Sequence, residues 1–158
     1  METLNAISPI DGRYRRSTEK LSDYFSEASL IKYRVKVEVE YFIALCELPL
    51  EQLKDIPQSS FEKMRDIYRN FTIENAQEVK EIEKTTNHDV KAVEYFKKKH
   101  FEALGLGEHK EYIHFGLTSQ DINNTSVPLS LRDCHNETLL PMLNEVLEIL
   151  SQKAQEWN

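Results

Sequence analysis

The sequence is poor in the residues that break helices. Its 158 residues include four glycines and five prolines, so few positions favour tight turns. Long elements are therefore expected. Apolar residues recur at steps of three and four through most of the chain, which is the spacing of a helical face. The sequence predicts an all-α fold.

Other absences argue against whole classes of protein. Cys46 and Cys134 fit no C-x-x-C or zinc pattern, and no apolar run approaches membrane-spanning length. The first residues lack the basic-then-apolar pattern of a secretory signal. Phosphate-binding glycine loops, nucleophile elbows and metal-ligand histidine spacings are also missing. We expect a soluble, cytoplasmic protein with no metal site and no membrane contact.

Positive charge is scarce as well. The 20 Lys and Arg residues are outnumbered by 27 Asp and Glu, which leaves a net charge of −7. A nucleic-acid-binding face needs clustered Lys and Arg, so no nucleic-acid partner is expected. The lysine run 97–99 is interpreted as a solvated helix face. We interpret His100 and His109 as solvated, and His114 and His135 as lying at the edge of the core.

The apolar spacing divides the chain into four helical stretches. The first begins near residue 17, the second covers about 59–83, the third runs from near 87 to Gly105, and the last continues from 118. Pro128 and Pro141 are expected to kink or interrupt the last stretch. The first stretch carries an apolar stripe of Leu30, Tyr33, Val37, Tyr41, Ala44, Leu45 and Leu48.

The last stretch ends in an apolar seam that no stop signal closes. Burying one leucine of such a seam stabilises a fold by about 1.5–3 kcal/mol, so the seam needs a partner, either further sequence or another subunit. We therefore expect the natural polypeptide to continue. The seam consists of Leu143, Val146, Leu147, Leu150, Ala154 and Trp157.

The earliest candidate for chemistry is the run Asp11-Gly12-Arg13-Tyr14. A tight turn can direct the Arg13 guanidinium at a phosphate or carboxylate, and the Tyr14 hydroxyl can bond the same anion. The alternative is a turn whose Arg13 and Tyr14 side chains are simply solvated, and the spacing alone favours this alternative.

A second candidate is the run 85–90. Thr86 and Asp89 lie three residues apart, as in a helix-start box, so capping alone explains both. His88 is not explained, because a cationic histidine in a first turn opposes the helix dipole by about 0.3–1 kcal/mol. A neutral His88 or a bound anion would remove this conflict. Capping is still the favoured interpretation on spacing alone.

The third candidate begins at Thr118, three residues before Asp121, which is again the spacing of a helix cap. Ser119 adds a second hydroxyl, and the polar run 120–124 exceeds what a cap requires. A helix N-terminus with two hydroxyl donors suits a carboxylate ligand. Capping and ligand binding are compatible here, and neither is preferred.

In their order and spacing these segments resemble the adenylosuccinate lyase family of the fumarase/aspartase superfamily. The matches are SPIDGRY, LIKYRVKVEVEYF, EKTTNHDVKAVEYF and IHFGLTSQDINN. The resemblance implies a largely helical homotetramer whose active sites combine several subunits. Such enzymes use no cofactor to eliminate fumarate from adenylosuccinate, giving AMP, and cleave the succinyl-carboxamide ribotide of purine synthesis in the same way.

Seven residues match motif positions that contact substrate in this family. They are Arg13, Tyr14, Asn87, His88, Asp89, Thr118 and Ser119. The resemblance implies that the first two bind the nucleotide near its phosphate and that the last two donate hydrogen bonds to the succinyl group. It implies that His88 positions the substrate and tunes proton transfer.

The family's principal catalytic histidine lies in a Thr-His-Gly-Gln-Pro segment and its catalytic serine in a later loop, and neither segment occurs here. We therefore expect an N-terminal portion that binds adenylosuccinate, AMP or fumarate but does not turn substrate over. Residues 1–117 are expected to form an N-terminal helical domain, and 118–158 the start of a truncated central bundle. Gln120 stands where many relatives carry Glu, which leaves its role open.

Two other interpretations remain. In one, the chain is a non-catalytic helical interaction or oligomerisation module whose motifs are caps only. In the other it belongs to a different lyase of the superfamily, such as argininosuccinate lyase, which the Asp-Gly-Arg-Tyr and Asn-His-Asp segments match less well.

Overall fold

A computed structural model describes residues 6–157, and within that range every regular element is helical. The all-α prediction is confirmed. The helices are α1 (Arg15–Thr18), α2 (Ser22–Phe25), α3 (Glu27–Glu47), α4 (Phe61–Arg69), α5 (Ile73–Thr86), α6 (Asp89–Ala103), α7 (Ser119–Cys134) and α8 (Leu140–Glu156). Short 3₁₀ turns occupy Glu19–Leu21, Gln58–Ser60 and Gly107–Tyr112.

The chain forms two compact units. The central unit is Glu27–Val127, and the terminal unit combines Met1–Ser26 with Pro128–Asn158. The boundary expected at 117/118 concerns the domains of the family and stays a prediction. Helix α7 contributes residues to both units.

The core of the central unit lies where α3 packs against α4, α5 and α6. Val35, Val39 and Phe42 of α3 are fully buried, and the Phe42 ring meets Phe101 of α6 edge-on at 4.9 Å between centroids. The expected stripe on α3 is only partly buried: Tyr33 and Leu45 are buried, whereas Ala44 is exposed and Leu48 lies beyond the end of the helix. Packing on several sides buries a broad arc of the helix, which a single stripe does not describe.

The second expected helix is in fact two helices, separated at residues 70–72. Thr72 caps α5, since the Asn75 N–H donates to Thr72 Oγ1 at 3.4 Å and the Thr72 N–H donates to Asn75 Oδ1 at 2.9 Å. This reciprocal box starts a new helix. The apolar spacing continues across the break and so conceals it.

Helix α5 continues through Thr85 and Thr86, beyond the end expected at about residue 83. The helix ends at Thr86, and the next residue, Asn87, has a left-handed φ of 50°. Asparagine is one of the few non-glycine residues that adopt this conformation readily. Helix α6 accordingly begins at Asp89 rather than near residue 87.

Four polar side chains differ from their expected exposure. Lys97 is fully buried and the Lys98 side chain is 15% exposed, whereas Lys99 is solvated. Successive residues lie about 100° apart around a helix, so three lysines in a row cannot share one solvated face. His100 is half-buried, with its ring centroid 4.4 Å from that of Phe96, and His135 is exposed rather than at the core edge.

The terminal unit begins with the turn that Asp11-Gly12 predicts. The Gly12 N–H donates to the Ser8 carbonyl at 2.9 Å, and the Tyr14 N–H donates to the Pro9 carbonyl at 2.8 Å. These bonds reverse the chain before α1.

Pro128 lies inside α7 without ending it. The interruption is a π-helical turn, His135–Leu139, in which the Leu140 N–H donates to the His135 carbonyl five residues earlier. Pro141 has no N–H with which to continue the ordinary ladder of helical hydrogen bonds, and the wider turn accommodates that loss.

Among the helices of the described range, none combines the length and apolar content that a membrane span requires.

The seam on α8 is exposed, as its open pattern predicts. Leu147 and Leu150 are each 60% exposed, and Trp157 is 80% exposed.

Candidate functional site

The N-termini of α6 and α7 meet in the central unit through His88 and Ser119. His88 Nε2 lies 3.2 Å from Ser119 Oγ. On the other side of the ring, the Lys91 N–H donates to His88 Nδ1 at 3.2 Å, which makes His88 the N-cap of α6. The expected Thr86–Asp89 box is therefore wrong, because Thr86 still belongs to α5.

These two contacts define the tautomer of His88. Since Nδ1 accepts the amide proton, the proton of the neutral ring is on Nε2, which then donates to Ser119 Oγ. The Ser119 hydroxyl proton remains available for another acceptor. The neutral ring also removes the conflict with the helix dipole that the sequence raised.

Arg34 of α3 connects the two helix starts. Its Nη2 lies 2.7 Å from Asp89 Oδ2 and its Nε donates to Asn123 Oδ1 at 3.0 Å, while the Arg34 side chain is only 9% exposed. Burial raises the pKa of the Asp89 carboxyl, but the Val90 amide and Arg34 outweigh it and lower the pKa. Asp89 thus serves to hold the site together.

Thr118 precedes α7 and is bonded to Asp121 at the expected spacing of three residues, but the Thr118 side chain donates rather than accepting an amide proton as a full cap would. The Thr118 N–H and hydroxyl donate to Asp121 Oδ2 at 2.7 and 2.8 Å. The same amide, followed by the hydroxyl, lowers the pKa of the Asp121 carboxyl. Gly116, with a φ of 73° that favours glycine, turns the chain into this helix. Gln120 Nε2 donates to Asn124 Oδ1 at 2.6 Å.

A small cavity of about 150 Å³ opens beside these residues. Its lining comprises His88, Val90, Lys91, Glu94, His114 and Ser119. Drug-sized ligands occupy pockets of about 300–1,000 Å³, so this cavity has room for one charged group rather than a whole nucleotide. Lys91 Nζ lies 2.7 Å from Glu94 Oε2 and gives the cavity a charged wall.

Arg34, Glu94 and His114 are functional candidates that the sequence reasoning missed. His114 does lie at the core edge as expected, with its side chain 19% exposed, but it also lines the cavity. Burial is the main cause that lowers the pKa of His114. Arg34 and His114 have partners remote in sequence, which no local pattern signals. Glu94 pairs with Lys91 three residues away, a spacing that is equally typical of a solvated helix face.

The seven motif residues are divided between the two units. Asn87, His88, Asp89, Thr118 and Ser119 belong to the central unit, where Asn87 is the exposed link between α5 and α6. Arg13 and Tyr14 belong to the terminal unit, and both are exposed, with the Arg13 guanidinium 5.4 Å from the centre of the Tyr14 ring.

Over residues 6–157, no group of three or more His, Cys, Asp or Glu side chains is arranged to hold a metal ion.

Comparison of the sequence with known proteins shows the family to which the chain belongs. A family model described as Lyase matches residues 12–158, and the chain therefore belongs to that lyase family.

The similar proteins among curated relatives are adenylosuccinate lyases, which confirms the resemblance. The enzyme of Dictyostelium discoideum is 52% identical over 162 residues, which is 99% of this chain and 35% of that protein. Those of Vibrio cholerae and Escherichia coli K12 are 40% and 38% identical with the same coverage. The chain spans about a third of the length of these relatives.

Proposed function

We propose that this chain is the N-terminal portion of a cytoplasmic, homotetrameric adenylosuccinate lyase. Such an enzyme eliminates fumarate from adenylosuccinate to give AMP and cleaves the succinyl-carboxamide ribotide in the same way. The observation that carries the proposal is the 3.2 Å contact between His88 Nε2 and Ser119 Oγ, which joins two helix N-termini in one site of a lyase-family chain.

The geometry suits the chemistry of this elimination. Loss of a proton beside a carboxylate develops negative charge on that carboxylate, and preorganised donors lower the barrier by about 3 kcal/mol for one well-placed donor. Two helix starts supply amide donors and a favourable dipole. The available Ser119 proton supplies a further donor to the succinyl group.

The chain alone is proposed to bind substrate without turning it over. The cavity admits a single charged group, and the family's catalytic histidine and serine segments are not among these 158 residues. Arg13 and Tyr14 are proposed to bind the nucleotide near its phosphate. A departing purine amine needs a general acid poised near neutral pH, which the remaining part of the enzyme would supply.

The direct test is fumarate release from adenylosuccinate by the longer enzyme that contains this chain. Ser119→Ala removes one donor, so kcat/KM should fall about 100-fold, and His88→Gln should also lower it. His109→Gln and Ser59→Ala are matched controls outside the site and should leave turnover unchanged. Full activity in both Ser119→Ala and His88→Gln would overturn the assignment.

The exposed face of α8 favours a second function, self-association through a helical interface. Large apolar residues on α8 are about half exposed, among them Leu140, Met142, Leu143, Val146, Leu147, Ile149 and Leu150. Sedimentation of Leu143→Glu/Leu150→Glu should show a smaller assembly than the parent, whereas Asn144→Glu on the polar side should not. Self-association without any affinity for AMP or adenylosuccinate would support the interaction module instead of the lyase.

A further inference from the structure

A buried ion pair lies next to the candidate site. Glu38 of α3 and Lys97 of α6 are both fully buried, and Lys97 Nζ contacts Glu38 Oε2. The second carboxylate oxygen, Glu38 Oε1, is 3.0 Å from His114 Nδ1. One carboxylate therefore joins an internal lysine to a histidine that lines the cavity.

This buried ion pair is not expected to stabilise the fold by itself. Removing two charges from water costs several kcal/mol per ion, and a well-packed apolar pair is often as stable or more so. Desolvation, reinforced by Lys98, lowers the pKa of Lys97 well below its ordinary value. An opposite charge in contact favours the charged form of a buried group, so the contact with the Glu38 carboxylate is what holds the Lys97 ammonium in the core.

The consequence for His114 is a defined tautomer. A carboxylate only accepts hydrogen bonds, so His114 Nδ1 carries the proton and donates it to Glu38. The other nitrogen, Nε2, then keeps its lone pair. His88 has the opposite arrangement, with Nδ1 accepting and Nε2 donating.

We infer that Glu38, supported by Lys97, is a positioning residue that acts through His114 to give this cavity a proton-accepting imidazole nitrogen. The cavity then combines the Ser119 hydroxyl donor with the His114 acceptor, so it suits a ligand group that both accepts and donates, such as a hydroxyl or a protonated phosphate. This inference rests on the proposed function for its role in the reaction, but the tautomer itself does not.

Nitrogen-15 NMR of the histidine rings in this chain tests the tautomer directly. The parent should show His114 protonated at Nδ1, and Glu38→Gln should shift it towards the Nε2–H form, because an amide can donate to Nδ1. Glu40→Gln, a matched glutamate on the same helix, should leave the His114 signature unchanged. An Nε2–H form in the parent would overturn the inference.

A second variant keeps the test decisive if Glu38→Gln does not fold. Glu38→Gln/Lys97→Met removes the cation that the single variant leaves unpaired, and the same tautomer change is expected. The spectra should be recorded across pH, because Lys91, Glu94, Lys97 and Asp121 also act on the His114 charge.

The positioning role is tested in the longer enzyme. Glu38→Gln should lower kcat/KM about tenfold, while Glu40→Gln should not change it. A changed tautomer with unchanged turnover would overturn the positioning role and leave the proposed function standing. Loss of the proposed function would be seen instead as full activity in Ser119→Ala and His88→Gln.

Discussion

The two units treat similar side chains differently. In the central unit Phe42, Phe96 and Phe101 are fully buried, whereas in the terminal unit Phe25 is 49% exposed and Trp157 is 80% exposed. Within the described part of the terminal unit, Cys134 is the one apolar side chain that belongs to the buried class. The central unit thus has its own core, on which a site can be held rigidly. The terminal unit instead leaves large apolar side chains exposed, where a partner could cover them.

Ion pairs repeat this contrast. Lys97 and Glu38 pair in full burial, whereas Lys153 and Glu156 on α8 pair at 2.7 Å with both side chains more than half exposed. Water screens the exposed pair, so its loss matters little. Charges held inside the central unit are not screened in this way, so loss of one partner leaves an uncompensated buried charge.

The largest test of the comparison removes one aromatic ring from each unit. Phe42→Ala should lower the free energy of unfolding by about 3–5 kcal/mol because it leaves a cavity in the core. Phe25→Ala should have a much smaller effect, since the ring is half solvated already. Urea denaturation followed by circular dichroism measures both. Equal losses would contradict the division into a cored and an uncovered unit.

The second test compares two arginines. Arg34→Met should cost roughly 2 kcal/mol, because hydrogen bonds to charged groups contribute about 1.5–3 kcal/mol and Asp89 remains partly hydrated. Arg132→Met should change stability little, since the Arg132 side chain is 61% exposed in its pair with Asp133. The two thermal unfolding curves decide the matter. An Arg34 variant as stable as the parent would show that the bridge between α6 and α7 is dispensable.

A smaller effect is expected at the cap of α5. Thr72→Ala removes the side-chain half of the box, the bond that Thr72 Oγ1 accepts from the Asn75 N–H, and should cost about 1 kcal/mol. Thr85→Ala, an exposed threonine in the same helix, should stay within about 0.5 kcal/mol of the parent. Chemical denaturation of the two variants is the measurement. Equal denaturation midpoints would show that the Thr72 cap does not stabilise the start of α5.

The smallest expected effect concerns pH. Burial raises the pKa of Glu40, but hydrogen bonds from Arg65 and Tyr68 outweigh it and lower that pKa below its ordinary 4.5. Its stabilising contribution is therefore complete above pH 4.5 and lost as pH falls through the folded value. The Glu40 side chain is 38% exposed, so screening limits the effect to less than about 1 kcal/mol. Glu40→Gln should flatten the acid limb of a stability–pH profile, and an unchanged limb would refute the linkage.

Local features were predictable, and their limits are instructive. The contact between Thr118 and Asp121 and the turn at Asp11-Gly12 are predictable, because each depends on residues three or four apart. The break at Thr72 carries the same kind of signal, but the apolar spacing runs through it and hides the break. The solvated face expected for the run 97–99 is wrong for Lys97, because composition does not tell which lysine faces a neighbouring helix.

The amino-acid sequence by itself determined the all-α class, the approximate starts of α4 and α7 and the family of the chain, since these depend on short-range spacing and on matching motifs. Only the tertiary structure decided which side chains share a site. His88 meets Ser119 across 31 positions, Glu38 meets His114 across 76, and Arg34 meets Asn123 across 89. Such pairs form only when the core brings remote helices together, because contact between distant residues depends on packing that no local pattern encodes.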